Sequence, residues 1–200
     1  MTTVDRATAL TLLTGRLTDE FVVAELGNPT YDLFNAGDRP AHFYLWGGMG
    51  LGPSIALGVA LAAPDATVIA LAGDGGVLMN LGALATIGAL QPANLAIVIW
   101  DNRSFDLTGG QPTATAVGAD LAAVAIGCGI KQTVRVGTLE EFERASGRAL
   151  AEPGPWCVVV ETGPTPADRR KPLIAMRRRF LYNDAFTDAA IRKHSAGNAG

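Results

Sequence analysis

The sequence predicts an α/β protein of three layers, α-β-α, with helices on both faces of a mostly parallel sheet. Three observations predict it. Short β-branched runs alternate along the chain with longer Ala/Leu/Gly stretches of helical composition. The central runs are apolar at every position, as strands covered on both faces require. Glycine-rich or polar segments follow three of these runs, at the carboxyl ends of strands where such sheets bind ligands.

In chain order, Arg6–Leu13 is the first predicted helix, ended by Gly15, and Phe21–Ala24 the first strand. A helix over Pro53–Ala62 opens on a proline suited to its first turn. Strand Val68–Ala72, helix Leu78–Leu90 and strand Ala96–Trp100 follow as one strand–helix–strand unit. Asp120 suits an N-cap for a helix running to Cys128, with Gly129 just beyond its end. Strand Thr133–Val136, helix Leu139–Leu150 and strand Cys157–Glu161 complete the set. After Pro166 the composition turns charged, with a helix expected around Pro172–Phe180 and a frayed polar end at His194–Gly200. Residues 1–166 therefore read as one domain and 167–200 as a C-terminal helical tail.

Composition narrows the function classes. With 200 residues, 48% of them hydrophobic, the chain can bury the core of one domain. The net charge is −3 and no basic run precedes Arg177-Arg178-Arg179, so no nucleic-acid face is expected. That triple reads as a solvated helix face or as a meeting point for a partner's acidic surface. Cys128 and Cys157 stand in apolar stretches without C-x-x-C spacing and read as buried, reduced thiols. Asp5 and Arg6 occupy the place of a signal peptide's apolar region, and no stretch of about 20 residues is apolar and unbroken. A cytoplasmic protein that handles small metabolites, with no membrane contact, is the expectation.

The chemistry concentrates in three loops. Gly27-Asn28-Pro29-Thr30 follows the first strand, Gly73-Asp74-Gly75-Gly76 the second, and Asp101-Asn102-Arg103-Ser104 the third. A strand–turn–helix–strand unit sets the last two side by side, so the Asp74 carboxylate and the Asn102 amide oxygen can share one hard cation. Glycines around Asp74 let backbone approach a phosphate, and the helix start behind them favours its charge. Gly-Asp-Gly-Gly alone is equally an ordinary strand-to-helix turn; the pairing with Asn102 points to a Mg²⁺-diphosphate site.

G-D-G-x roughly 25–30 residues before an Asn at a strand end is the signature of thiamine-diphosphate enzymes, and the chain resembles that family. Tyr44-Leu45-Trp46-Gly47-Gly48-Met49-Gly50-Leu51, Gly73-Asp74-Gly75-Gly76-Val77-Leu78-Met79-Asn80-Leu81-Gly82 and Thr108-Gly109-Gly110-Gln111-Pro112-Thr113 carry the resemblance. Within the family they are similar to the β subunit of sulfopyruvate decarboxylase and the matching half of phosphonopyruvate decarboxylase, over roughly Val4 to Thr162. The resemblance implies the diphosphate-domain fold of these enzymes, with thiamine diphosphate and Mg²⁺ as cofactors. Asp74, Asn102 and the Ser104 carbonyl would then bind Mg²⁺, with two diphosphate oxygens and a water completing an octahedron. Asn28, Thr30, Gly73, Gly75 and Gly76 would lie against the diphosphate, and Phe105 beside it; Asn28 and Thr30 read equally as turn residues around Pro29. In the Gly47-Gly48-Met49-Gly50 loop, the Gly47 carbonyl would accept from the aminopyrimidine amine. Met49 would wedge beneath the cofactor to hold its rings bent, or else simply fill the core.

Two departures from the family pattern, Asp101 before Asn102 and Phe105-Asp106 after Ser104, bear on substrate rather than metal. The family also needs a glutamate against the pyrimidine ring, carried on a separate domain for which this chain has no room. Glu20 and Glu25 flank the first strand, and Glu140, Glu141 and Glu143 read as a helix's polar face, so none offers a substitute. The implied partner is a pyrimidine-binding, α-type subunit in an α₂β₂ assembly, with part of Leu78–Leu90 at the interface. The implied reaction is decarboxylation of a 2-oxoacid resembling 3-sulfo- or 3-phosphonopyruvate, releasing CO₂ and an aldehyde. Alternatives are the same half of a carboligase or 2-oxoacid oxidoreductase, or a non-catalytic nucleotide-binding module. His42 is either structural or substrate-facing; Arg103 is either solvated or set to meet an anionic group. Gln111, in a segment with two glycines, belongs to a closing loop or a static turn.

Overall fold

A computed structural model describes residues 3–165; the expected tail helix at Pro172–Phe180, Arg177–Arg179 and the His194–Gly200 end lie outside them. Six parallel strands form the sheet: β1 (Phe21–Ala24), β2 (His42–Tyr44), β3 (Val68–Gly73), β4 (Leu95–Asp101), β7 (Gln132–Val136) and β8 (Trp156–Glu161). Their spatial order is β2-β1-β3-β4-β8-β7. A two-stranded antiparallel ribbon, β5 (Ser104–Phe105) with β6 (Gln111–Pro112), stands apart from the sheet.

Alternate side chains of the central strands feed two separate cores. Phe21, Val23, Ile97 and Ile99 pack on one face against α3 (Gly52–Ala62), α5 (Gly82–Leu90) and α6 (Leu121–Gly127). Val22, Ala24, Val98 and Trp100 pack on the other against α1 (Arg6–Thr14), α2 (Asn28–Ala36) and α7 (Leu139–Ala151). A central strand buried on both faces has no polar position to give, which is why β4 reads apolar from Leu95 to Trp100. Cys157 lies inside the first core, where burial pushes its thiol up to about 12, and both cysteines are free.

The chain leaves β1 by α2, on one face, and leaves β3 by the short α4 (Asp74–Met79) and α5, on the other. These adjacent strands therefore send their connections apart, and the crevice that opens between them is where a ligand enters such a sheet.

Three elements differ from the sequence expectation. The helix expected over Leu78–Leu90 is two helices, α4 and α5, broken at Asn80. The Asn80 amide donates to the Gly50 carbonyl at 3.0 Å and to Ser54 Oγ at 3.3 Å, and these tertiary bonds hold its backbone out of the helix at φ −142°. The segment after Gly27 is not a loop but α2. Its Asn, Pro and Asp content reads as a turn, yet Pro29 suits a first turn and a buried Arg6–Asp32 ion pair of 2.7 Å binds the helix to α1. β2 is only three residues long, too short for any periodicity, and is recruited by its pairing with β1. The other helix ends follow their local chemistry: Asp120 caps α6, and Thr138 with Glu141 forms a capping box at α7.

Gly88 is where α5 meets the end of α6: a Cβ there would overlap the Cys128 carbonyl, with its carbon at 2.8 Å. Gly88→Ala is expected to cost about 1–3 kcal/mol, lowering Tm by roughly 3–10 °C, because backbone must move to admit the methyl. Thermal unfolding checks this; an unchanged Tm would show that the two helices separate freely.

Candidate functional site

The segments after β1, β3 and β4 line one open cleft of about 110 Å³. Its walls include Glu25, Gly27, Asn28 and Pro29 from the first loop, Gly73 to Gly76 from the second, and Asn102, Ser104 and Phe105 from the third. Met49 and Arg6 complete them from elsewhere. Of the residues singled out in the sequence, Thr30, Gly47 and Gly48 do not line it. Thr30 is fully buried and donates its hydroxyl to the Glu25 carbonyl; Gly47 and Gly48 are exposed at the rim.

Asp74 is 2% exposed, at the first position of α4. Its Oδ2 accepts from Thr113 Oγ1 at 2.5 Å and from Thr115 Oγ1 at 3.0 Å. Thr115 Oγ1 also lies 2.8 Å from Oδ1 of the equally buried Asp101. A hydroxyl has one proton, so Thr115 cannot satisfy both carboxylates at once. Burial raises the pKa of Asp74, the Asp101 charge adds to the rise, and the bonds from Thr113, Thr115 and Gly75 oppose it. Two buried acids this close favour a cation beside them.

Asn102 Oδ1 accepts from Ser104 N at 3.1 Å, an Asx turn closed by Arg103 at φ +59°, and both residues lie on the cleft wall beside Asp74. The Asp74 carboxylate, the Asn102 amide and Ser104 line one cleft. No cluster of three His, Cys, Asp or Glu that could hold a metal exists among the described residues. An all-oxygen set with so few charges suits a hard cation such as Mg²⁺, and suits it best when an anionic ligand supplies further oxygens. The glycines fit that ligand. A Cβ on Gly75 would strike the Phe105 ring, within 2.8 Å of Cδ1, and one on Gly76 would lie 2.6 Å from Glu25 Cδ. Backbone therefore forms the wall at both positions, and the N–H groups of a helix's first turn have no acceptors within the helix.

The far end of the cleft is tied by Thr165, which accepts from Arg6 Nη2 at 2.8 Å and Asn28 Nδ2 at 3.0 Å. Its own N–H donates to Asp106 Oδ2 at 2.9 Å. Burial would raise the Asp106 pKa, but the Thr165 N–H, with donors on Ser104, Thr165 and Asn102, holds it below the usual range.

Phe105 and Asp106, expected to border the substrate, line the cleft, whereas Thr113, Thr115 and Arg6 were missed as parts of this site. Only Thr113 stood inside a quoted motif, and nothing in its spacing linked it to Asp74. Glu25 requires a correction: it does not merely flank β1 but is buried, 1% exposed, on the cleft wall. Its position one residue past a fully apolar strand was the available signal. One oxygen accepts from the Gly50 N–H, while burial pushes its pKa up to about 7 against that bond's opposing pull. His42 is fully buried in β2, away from the cleft walls, with Nδ1 3.2 Å from the Tyr44 hydroxyl. Arg103 extends outward toward Glu161, 3.8 Å away. Gln111 is exposed in the β5–β6 ribbon.

Because the folded-state pKa of Glu25 lies above its ordinary 4.5, the folded chain holds an extra proton between about pH 4.5 and 7. Stability from this group is therefore full below pH 4.5 and falls as pH rises through 7, by up to about 3 kcal/mol in the ligand-free chain. Denaturant unfolding across that range should show the loss in the wild type and a flatter profile in Glu25→Gln. Identical profiles would mean that Glu25 does not carry the dependence.

Comparison with known proteins agrees with this fold. The profile of the family described as "Thiamine pyrophosphate enzyme, C-terminal TPP binding domain" matches residues 27–160. The chain is 42% identical over 145 residues to the sulfopyruvate decarboxylase subunit beta of Methanocaldococcus jannaschii, covering 72% of this chain and 76% of that one. It is 41% identical over 150 residues to the phosphonopyruvate decarboxylase of Streptomyces viridochromogenes, covering 75% of this chain but 37% of that longer protein. Among solved structures, the thiamine diphosphate-dependent 4-hydroxybenzoylformate decarboxylase of Rhodococcus jostii superposes with a TM-score of 0.71 at 25% identity. That match covers 82% of this chain and 33% of the decarboxylase, so the chain spans about a third of the solved enzyme. No helix among the described residues is long and apolar enough to cross a membrane.

Proposed function

This chain belongs to the thiamine pyrophosphate enzymes and carries their C-terminal cofactor-binding domain, and from that premise we propose that it is the Mg²⁺-diphosphate-binding subunit of a two-subunit 2-oxoacid decarboxylase. One observation carries the reading: the Asp74 carboxylate, the Asn102 amide and the Ser104 segment share a cleft with glycines whose Cβ atoms would not fit. When bound, thiamine diphosphate supplies a centre that accepts the electron pair released as CO₂ leaves the substrate.

The chain's own residues anchor and orient. Asp74, Asn102 and the Ser104 carbonyl hold Mg²⁺, with Thr113 and Thr115 fixing the Asp74 carboxylate. Gly73, Gly75, Gly76 and Asn28 meet the diphosphate, with Phe105 packed beside Gly75 and Thr30 bracing the first loop from below. Met49, half-buried on the cleft wall, would support the cofactor's rings, and the carbonyl of the exposed Gly47 would accept from its pyrimidine amine. Arg6, its charge balanced by Asp32, lines the same cleft and donates to Thr165. The substrate class is a 3-sulfo- or 3-phosphonopyruvate-like acid, by the printed activities of the relatives.

Two observations support a partner. The similar archaeal chain is itself a subunit beta. Around the Gly47–Leu51 turn and the α4–α5 junction, Trp46 (38%), Leu51 (45%), Met79 (65%) and Leu81 (36%) are exposed apolar side chains. Apolar side chains grouped this way mark an interaction face better than scattered ones do. A pyrimidine-binding α-type subunit seated there gives an α₂β₂ assembly, in the cytoplasm.

The test is co-purification of the full chain with its neighbouring gene product, followed by assay of CO₂ release from a panel of 2-oxoacids with Mg²⁺ and thiamine diphosphate. The complex is expected to release CO₂ and an aldehyde while the chain alone is inactive. Turnover by the chain alone would contradict the two-subunit reading and put Glu25 forward as an internal acid. Carboligation or oxidation products in place of an aldehyde would replace the decarboxylase assignment.

A further inference from the structure

The proposed function leaves one buried acid in the cleft without a task. Glu25 accepts the Gly50 N–H with one carboxylate oxygen, while the other, enclosed by protein, has no hydrogen-bond partner. Glycines bracket it. A Cβ on Gly52 would lie 3.0 Å from Glu25 Cβ, and one on Gly76 would meet the carboxylate itself. Gly50, at φ +87°, is gripped from both sides: Glu25 holds its N–H, and Asn80 Nδ2 donates to its carbonyl at 3.0 Å. Gly50 thus locks the Gly47–Gly50 turn, Met49 included, between the end of β1 and the α4–α5 break.

Burying a carboxylate to accept a single N–H is a costly way to fasten a turn, since a neutral side chain would do so with less desolvation. Such a group is better explained by the position it imposes. We propose that Glu25 is a positioning residue that sets the height of the Gly47–Met49 turn over the cleft, and so governs the fit of the ring portion of the bound cofactor and not of its diphosphate. The inference rests on the function proposed above, in which Gly47 and Met49 meet the rings while Gly75 and Gly76 meet the diphosphate. Glu25 abuts Gly76 as well, but its hydrogen bond goes to the Gly47–Gly50 turn. Asp74 is held by Thr113 and Thr115 from the far side of the cleft, with no bond to Glu25, so the metal end has its own support.

The experiment compares two ligands on the full chain co-purified with its partner: thiamine diphosphate and inorganic diphosphate, each titrated calorimetrically in Mg²⁺. Glu25→Ala is expected to weaken thiamine diphosphate by about tenfold or more while leaving inorganic diphosphate within about twofold, and Glu25→Gln, which keeps an acceptor for Gly50, to restore most of the loss. Should the alanine variant fail to fold, Glu25→Asp carries the same comparison, because it keeps the acid but stops one methylene short of the Gly50 N–H. Equal losses for both ligands would make Glu25 a general structural residue and overturn the inference, as would no loss for either. A wild type that binds inorganic diphosphate but not thiamine diphosphate would overturn the functional reading itself, and the inference with it.

Discussion

Two carboxylates, Asp74 and Asp101, are buried at the carboxyl ends of neighbouring strands with one hydroxyl, Thr115, standing between them. This shortage of positive charge is the constraint on which the rest of the site depends. Hydroxyls and backbone N–H groups hold the acids in place without neutralising them, and the raised pKa of Asp74 records the unmet demand. The remaining features serve that point. The β5–β6 ribbon returns Thr113 and the following 3₁₀ turn over Asp74, and an Asx turn at Asn102, whose Oδ1 accepts from Ser104 N, shapes the neighbouring wall of the cleft. Phe105, from the same ribbon, closes against Gly75, so the backbone itself becomes the cleft wall.

The opposite wall is organised by a different acid. Glu25 takes the Gly50 N–H and fills the space left by Gly52 and Gly76, so the end of β1, the Gly47–Gly50 turn and the start of α4 meet on one side chain. A cleft lined by Glu25, Asp74 and Asp106, with Arg6 as the one cation among its described lining residues, suits an anion best with a metal at one end. Trp46, Leu51, Met79 and Leu81 stand exposed beside the glycine turn.

Much of this was legible in the sequence because it follows from local rules. Four of the six sheet strands are apolar runs that need no tertiary information, β7 is legible by its β-branched residues, and Asp74 and Asn102 stand where parallel strands end. What was not legible depends on contacts between distant residues. Asn80 breaks a continuous helical pattern because Gly50 and Ser54 bind its amide. Asn28–Ala36 is helical because Arg6 and Asp32 pair inside the protein, although its composition resembles a turn. Thr113 and Thr115 reach Asp74 only through a ribbon with two-residue strands, too short to carry a period. Glu25 was visible but misread, since an acid next to a strand is usually solvated and only the three surrounding glycines show that this one is not.

The measurement that tests the central claim most directly is calorimetric titration of thiamine diphosphate, with and without Mg²⁺, into wild-type protein and Asp74→Ala. The account predicts binding by the wild type only when the divalent cation is present, and loss of that binding in Asp74→Ala with the fold intact by circular dichroism. Binding that ignores Mg²⁺, or an Asp74→Ala protein with unchanged affinity, would contradict the assignment of this cleft as a metal-diphosphate site.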